Sequence, residues 1–267
     1  MYFTSVTNND LDQIRKLQPE GWPPIIPEFE FYIKSDFCFP LKVQVDDKIV
    51  GVGVSIVHES TAWIAHIIVD SNCRNRGIGS QIVDKLLKNL KKKSVVSCSL
   101  IATELGKPVY EKAGFRIVTE YTFLKRERPW KNYPVSKNII SYKEEFQSQI
   151  FELDKKIYGE NREKLLKGYV ENSLIYEENK KVSGCFFPGL REGLIIADEV
   201  DAGLELMKVK YAQVDKAVLP SDNIDGINFL KQNGFVVTDK TGTRMVLGKN
   251  INWIPQKIYS RIGGNLG

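Results

Sequence analysis

Arg74-Asn75-Arg76-Gly77-Ile78-Gly79 places two cations and two glycines where a β-type run gives way to helical periodicity. Thr61–Val69 precedes it. Ile78, Ile82, Leu86 and Leu90 follow as one apolar row, with Val83 and Leu87 beside it. A glycine turn at a helix start suits an anion. Glycine lets the backbone approach closely. The first helical N–H groups lack partners within the helix, and the positive end of the dipole lies there. Arg74 and Arg76 add charge, so the expected guest is a diphosphate. The spacing is Arg-x-x-Gly-x-Gly; it matches neither the dinucleotide fingerprint nor a Walker loop.

The elements that must hold this turn can be traced along the chain. Thr7-x-x-Asp10 opens a helix through Leu17. Gly21 to Pro40 is rich in proline and aromatics, with a short helix near Glu28–Ile33. Leu41–Val45 and Ile49–Val57 form a hairpin around Asp46-Asp47-Lys48, and Thr61–Val69 pairs next. Ser80–Asn89 is helical, Val95–Ala102 a strand, Lys107–Lys112 a short helix stopped by Gly114, and Phe115–Leu124 a strand. The stretch from Arg126 to Ser141 holds Pro129 and Pro134 and reads as a linker. Beyond it, Tyr142–Leu153 and Arg162–Val170 are helical, and Leu174–Gly184 is a hairpin. Gly193–Ala197, Asp201–Ala212, Ala217–Pro220 and Ile224–Gln232 alternate strand and helix, and Phe235–Leu247 makes two short strands.

The bulk numbers narrow the class. A chain of 267 residues has room for two domains with cores of their own. Apolar content of 42% and charged content of 27% describe a soluble globular protein, with no run long enough to cross a membrane. The N-terminus lacks a signal-peptide layout. Cys38, Cys73, Cys98 and Cys185 are scattered, which suggests reduced thiols and a cytoplasmic protein. Net charge of +5 favours an anionic ligand but gives no dense basic stripe, so nucleic acid is not expected as a partner. No metal site is expected. A monomer or a homodimer is expected.

A repeat is visible. Gly114-Phe115 recurs as Gly234-Phe235, an offset of 234 − 114 = 120 residues. At that offset Gly77 meets Ala197, Gly79 meets Glu199, Arg74 meets Leu194 and Tyr110 meets Leu230. Asp198, Glu199 and Asp201 would repel a diphosphate there. The second half thus reads as a diverged copy without the anion turn.

Val69, then Arg74-x-x-Gly77-x-Gly79, then Tyr110 four residues before Gly114-Phe115, resembles the GCN5-related N-acetyltransferases (GNAT family) over roughly residues 1–127. The resemblance implies an α/β (α+β) fold of two GNAT-like domains, each a mixed, mostly antiparallel central sheet flanked by helices. They would be a catalytic domain over 1–127, a linker over 128–141 and a degenerate domain over 142–267. It implies acetyl-CoA as cofactor and direct attack by an amine on the thioester. Carried over, Ile67, Ile68 and Val69 hold the pantetheine arm. Arg74, Asn75, Arg76, Gly77, Ile78, Gly79 and Ser80 hold the diphosphate. Tyr110 protonates the departing thiolate. Two departures stand out: Ser71 and Cys73 occupy positions where proline and an aromatic are common, and no asparagine follows the Val95–Ala102 strand.

The base stays open. His66 is one of two histidines, and its ordinary pKa suits the role. Strand alternation sets His66 with Ile64 and opposite Trp63 and Ala65, which would make it structural if the site lies on the Trp63 side. Glu104 and water relays are alternatives. Cys73 reads as a small buried spacer rather than a nucleophile. Trp22, Glu28 and Glu30 are the candidate acceptor contacts, for a small-molecule or peptide amine. Packing of the aromatics in an inter-domain seam is the equal alternative. A non-catalytic acyl-CoA binding or sensing protein is the rival function.

Overall fold

Two sheets flanked by helices carry the fold in a computed structural model that describes residues 1–267. In chain order the elements are β1 (Tyr2–Ser5), α1 (Leu11–Arg15), α2 (Ile26–Lys34), β2 (Cys38–Val45), β3 (Lys48–His58), β4 (Thr61–Val69), α3 (Ile78–Lys92), β5 (Ser97–Ala102), α4 (Lys107–Lys112) and β6 (Arg116–Arg126). There follow β7 (Ile139–Ser141), α5 (Gln147–Tyr158), α6 (Glu163–Leu166), β8 (Leu174–Glu178), β9 (Lys181–Phe187) and β10 (Leu194–Ala197). The chain ends with α7 (Val200–Gln213), β11 (Lys216–Pro220), α8 (Ile224–Gln232), β12 (Phe235–Val237), β13 (Thr243–Gly248) and β14 (Ile258–Ser260). The larger sheet is mixed, in the order β1-β2-β3-β4-β5-β13-β6-β11, with β12 on β6; the smaller is antiparallel, β14-β10-β9-β8-β7.

Contacts group the chain into two units: residues 1–116 with Met245–Lys249, and residues 117–244 with 250–265. β6 falls in the second unit because its ladder partners are there, Leu124 opposite Ala217 and Arg126 opposite Phe235.

In the first unit, Asp46 and Asp47 both take positive φ in the two-residue turn between β2 and β3, as a type I′ hairpin requires. Asp10 accepts from the Thr7 N–H at 2.7 Å and the Thr7 hydroxyl at 2.9 Å, closing the expected helix start. The apolar row of α3 (Ile78, Ile82, Val83, Leu86, Leu90) packs on Val50, Ala62, Ile64, Cys98 and Leu100. Each such buried aliphatic side chain contributes roughly 1.5–3 kcal/mol before entropy.

The second unit repeats the order of the first. Two helices precede a hairpin (β8–β9), then β10, α7, β11, α8 and β12 follow. Within the expected helix Arg162–Val170, only Glu163–Leu166 is α-helical. Arg162 is instead committed to a buried fork on Asp154, and Gly168 disfavours continuation. β1, β7 and β14 carry no sequence signal strong enough to have been expected.

Candidate active site

The site grows from the far end of β4. The parallel ladder between β4 and β5 covers only Thr61↔Ser97, Ala62↔Cys98 and Trp63↔Ser99. From Ile64 onward the two strands no longer pair. The β3 side of β4 stays paired, but its register shifts between Val52 and Val54: Val52 faces Ile68 and Val54 faces Ala65. Gly53 therefore faces both His66 and Ile67, a β-bulge. His66 has φ +48°, a left-handed backbone that is uncommon for a non-glycine residue.

The bulge overturns the alternation expected for this strand. Ala62 and Ile64 pack under α3, and Ile67 and Val69 return to the same apolar cluster. The extra residue, His66, goes to α2 instead. Its ring sits 5.9 Å from Phe29, 5.6 Å from Tyr32 and 6.0 Å from Trp22, centroid to centroid. The Tyr32 oxygen lies 2.8 Å from His66 Nδ1. His66 is half-buried while Tyr32 and Phe29 are fully buried.

The loop that follows is open and positively charged. Asp70 accepts from the Asn72 N–H at 2.8 Å, and Arg74 Nε donates to the Val69 carbonyl at 3.2 Å, tying the turn to the strand end. Asn75 at φ +60° and Gly77 at φ +75° bend the chain into α3, with Gly77 as its N-cap. No acidic residue lies in the first turn of α3, and Lys91 and Lys92 fill its last. Both suit the dipole. Arg74, Asn75, Arg76, Gly77 and Ser80 are exposed, Gly79 half-buried and Ile78 buried. A Cβ on Gly79 would meet only Val69 Cγ2, at 3.8 Å. The glycine thus keeps space toward solvent, not toward the core.

Tyr110, on α4, packs half-buried against the cluster that contains Ile67, Val69 and Cys73. Its ring stands edge-on to Phe115 at 6.0 Å. Burial pushes its hydroxyl pKa well above the usual tyrosine range, so it holds its proton. Glu104 is exposed on the turn after β5.

A surface hollow of about 660 Å³ lies at the start of α2, lined among others by Arg15, Gln18, Glu20, Trp22, Ile26 and Glu30. Gln18 shapes it. Its Nε2 donates to the carbonyls of Pro19, Trp22 and Pro23, and its Oε1 accepts from the Ile25 N–H. Trp22, 40% exposed, thus joins the hollow to His66. Glu28 is half-buried on the helix row of Tyr32, one turn earlier. Tyr32 and Gln18 were not singled out from sequence. The pairing of Phe29 and Tyr32 at helical spacing was the available signal for the first; nothing local signals the second.

In the second unit the corresponding edge is closed. The N-cap of α7 is Glu199, so Gly77 corresponds to Glu199 and not, as the 120-residue offset gives, to Ala197, which lies within β10. β14 pairs with β10 through Ile195↔Ser260 and Ile196↔Ile258. The next residue, Arg261, donates its N–H to Val218 of β11 at 3.2 Å. Asn223 Nδ2 donates to the Ile258 carbonyl at 2.9 Å. A Cβ on Gly203 would come within 2.3 Å of the Tyr259 ring, so this position on α7 is shaped to β14.

The profile of the acetyltransferase (GNAT) domain matches residues 14–130. No curated protein matches the sequence significantly. Among solved structures, a candidate acetyltransferase from Pyrococcus horikoshii superposes with TM-score 0.83 at 20% identity, covering 100% of this chain and 95% of that one. A GCN5-related N-acetyltransferase from Sphaerobacter thermophilus gives 0.66 at 12% identity, over 94% and 98%. One from Anabaena variabilis gives 0.58 at 12% identity, over 92% and 72%. At these identities the structural likeness establishes the fold over both halves of the chain, and the domain match names the part that holds the bulged strand and the glycine turn. Residues 14–130 are an acetyltransferase domain of the GNAT family.

Proposed function

We propose that the chain is an acetyl-CoA-dependent N-acetyltransferase acting on an amine acceptor. The observation that carries this reading is the conjunction at the end of β4. Pairing with β5 stops at Trp63, and the open strand leads into a glycine-capped helix start free of carboxylates. The residues present fit the cofactor. Ile67, Ile68 and Val69 offer strand backbone to an amide-bearing arm. Residues Arg74 to Ser80 offer N–H groups and two guanidinium groups to a diphosphate. Bound acetyl-CoA would supply an acyl thioester.

The protein supplies proton handling. An acceptor ammonium must lose a proton before its nitrogen can act as a nucleophile. The His66 imidazole is the candidate to take it, held beside Trp22 and the hollow. Tyr110 keeps its hydroxyl proton because of burial and can release it to the leaving sulfur. Trp22 and Glu30 line the hollow, and Glu28 lies on the neighbouring helix row; together they suit a small or peptide amine carrying positive charge. A reducing cytoplasm suits four free thiols.

The test has two arms. Coenzyme A at about one hundred times its Kd should stabilise the fold by about 2.7 kcal/mol. Free thiol should then be released from acetyl-CoA with one member of an amine panel. An unshifted melting temperature would remove the cofactor assignment; a shift without thiol release across the panel would leave a binding protein instead of an enzyme.

A further inference from the structure

The Tyr32–His66 contact restricts how an imidazole at this place can work. The two atoms 2.8 Å apart are the Tyr32 oxygen and His66 Nδ1. Neutral histidine has one N–H and one lone pair on its ring nitrogens. If Tyr32 donates to Nδ1, the ring proton is on Nε2 and the one lone pair is held by the Tyr32 hydroxyl. If Nδ1–H donates to the Tyr32 oxygen, Nε2 carries the lone pair and can receive a proton. Only the second arrangement puts the basic lone pair on Nε2, away from Tyr32.

We propose that Tyr32 is a positioning residue that fixes His66 in the Nδ1–H tautomer and aims Nε2 for proton transfer. This rests on the reading of His66 as proton acceptor given above. The surroundings support a fixed ring. The bulge holds the His66 backbone at φ +48°, and three aromatic rings stand within 6.0 Å of the imidazole. Tyr32 is fully buried, so its oxygen is anchored by packing. The other ionisable group that α2 brings to this row is Glu28; Gly53 and Val54, opposite on β3, bring no charge.

The experiment is an imidazole ¹⁵N–¹H correlation spectrum of the ¹⁵N-labelled full chain, wild type and Tyr32→Phe, followed through pH. Only His58 and His66 contribute, so assignment needs one substitution. The expected result is Nδ1–H on His66 above its titration in wild type and a shift toward Nε2–H in Tyr32→Phe. Kinetically, kcat should fall about tenfold or more while both KM values hold. An Nε2–H tautomer in wild type, which needs no variant to observe, would overturn the proposal. So would an unchanged tautomer and kcat in Tyr32→Phe. The tautomer is read without turnover. A wild type that shows Nδ1–H but releases no thiol counts against the acetyltransferase reading and supports the Tyr32–His66 relation.

Discussion

A Cβ on Gly53 would stand 2.8 Å from Cδ1 of Ile67, the residue that returns β4 to its core face after the bulge. The same atom would meet Ile82 at 2.7 Å and Leu86 at 3.1 Å. Gly53 is thus the space that the bulge and α3 share. Gly53→Ala should lower stability by about 1–3 kcal/mol through overpacking, read as a lower urea midpoint at unchanged slope. An unshifted midpoint would mean that α3 moves aside freely.

Gly77 and Gly79 should fail for different reasons. Gly77 has φ +75° with nothing nearer its missing Cβ than Gln81 Nε2 at 3.9 Å, so Gly77→Ala costs backbone strain, about 1–2 kcal/mol. Gly79 has no such φ. Gly79→Ala should leave stability unchanged or raised by up to about 1 kcal/mol. It should still weaken coenzyme A binding about tenfold, or about 1.4 kcal/mol. Calorimetric titration beside thermal melting separates the two. Equal affinity in Gly79→Ala and wild type would move the diphosphate away from this turn.

Tyr110→Phe should reduce turnover by about 10²-fold and leave coenzyme A affinity within about twofold. Because burial raises the Tyr110 pKa, its hydroxyl stays protonated through the ordinary tyrosine range. The alkaline side of the wild-type rate profile should therefore show no fall from this group below about pH 10. A rate profile measured from pH 6 to 10 checks both points.

Lys210 is buried on α7, where its Nζ donates to the carbonyls of Glu192 and Gly193 and to Ser260 of β14. Desolvation lowers its pKa to about 8; Arg261 adds to the shift and Glu192 opposes it. Below that pH both folded and unfolded chains hold the proton. Between about 8 and 10 the unfolded chain keeps a proton that the folded one has lost, so stability should rise with pH, by on the order of 2 kcal/mol. Above about pH 10 the buried tyrosines Tyr158 and Tyr211, whose pKa values are raised, reverse the trend. Lys210→Met should flatten the rise; urea titrations at four pH values would show it.

Local pattern carried the reading of sequence a long way, and its failures share a cause. Lys107–Lys112 and Ile224–Gln232 coincide with observed helices because each is stopped by a glycine, Gly114 and Gly234, and Thr61–Val69 coincides with β4 on its run of strand-forming residues. The glycine turn was legible because φ, charge and helix start all depend on the residues within it. The placement of His66 was not. A period of two has no mark for an inserted residue, and the glycine that permits the insertion sits on β3. Tyr32 meets His66 only across 34 positions of chain. Ile258–Ser260 is three residues long and becomes a strand only because β10 lies beside it. The repeat was legible as layout, but its offset slipped by two at the helix start, since Gly234-Phe235 fixes the register of a different loop.

Tyr259, seated where Gly203 makes room, has a consequence for stoichiometry. In the second unit the protein is its own guest: the hydrogen-bonding edge that a visiting molecule would need is already satisfied by Ile258–Ser260. A visitor would have to peel that segment away and leave the ring of Tyr259 stranded in water. If the proposed cofactor binds at the glycine turn, saturation at one equivalent of coenzyme A per chain is the expected outcome, even though the scaffold occurs twice.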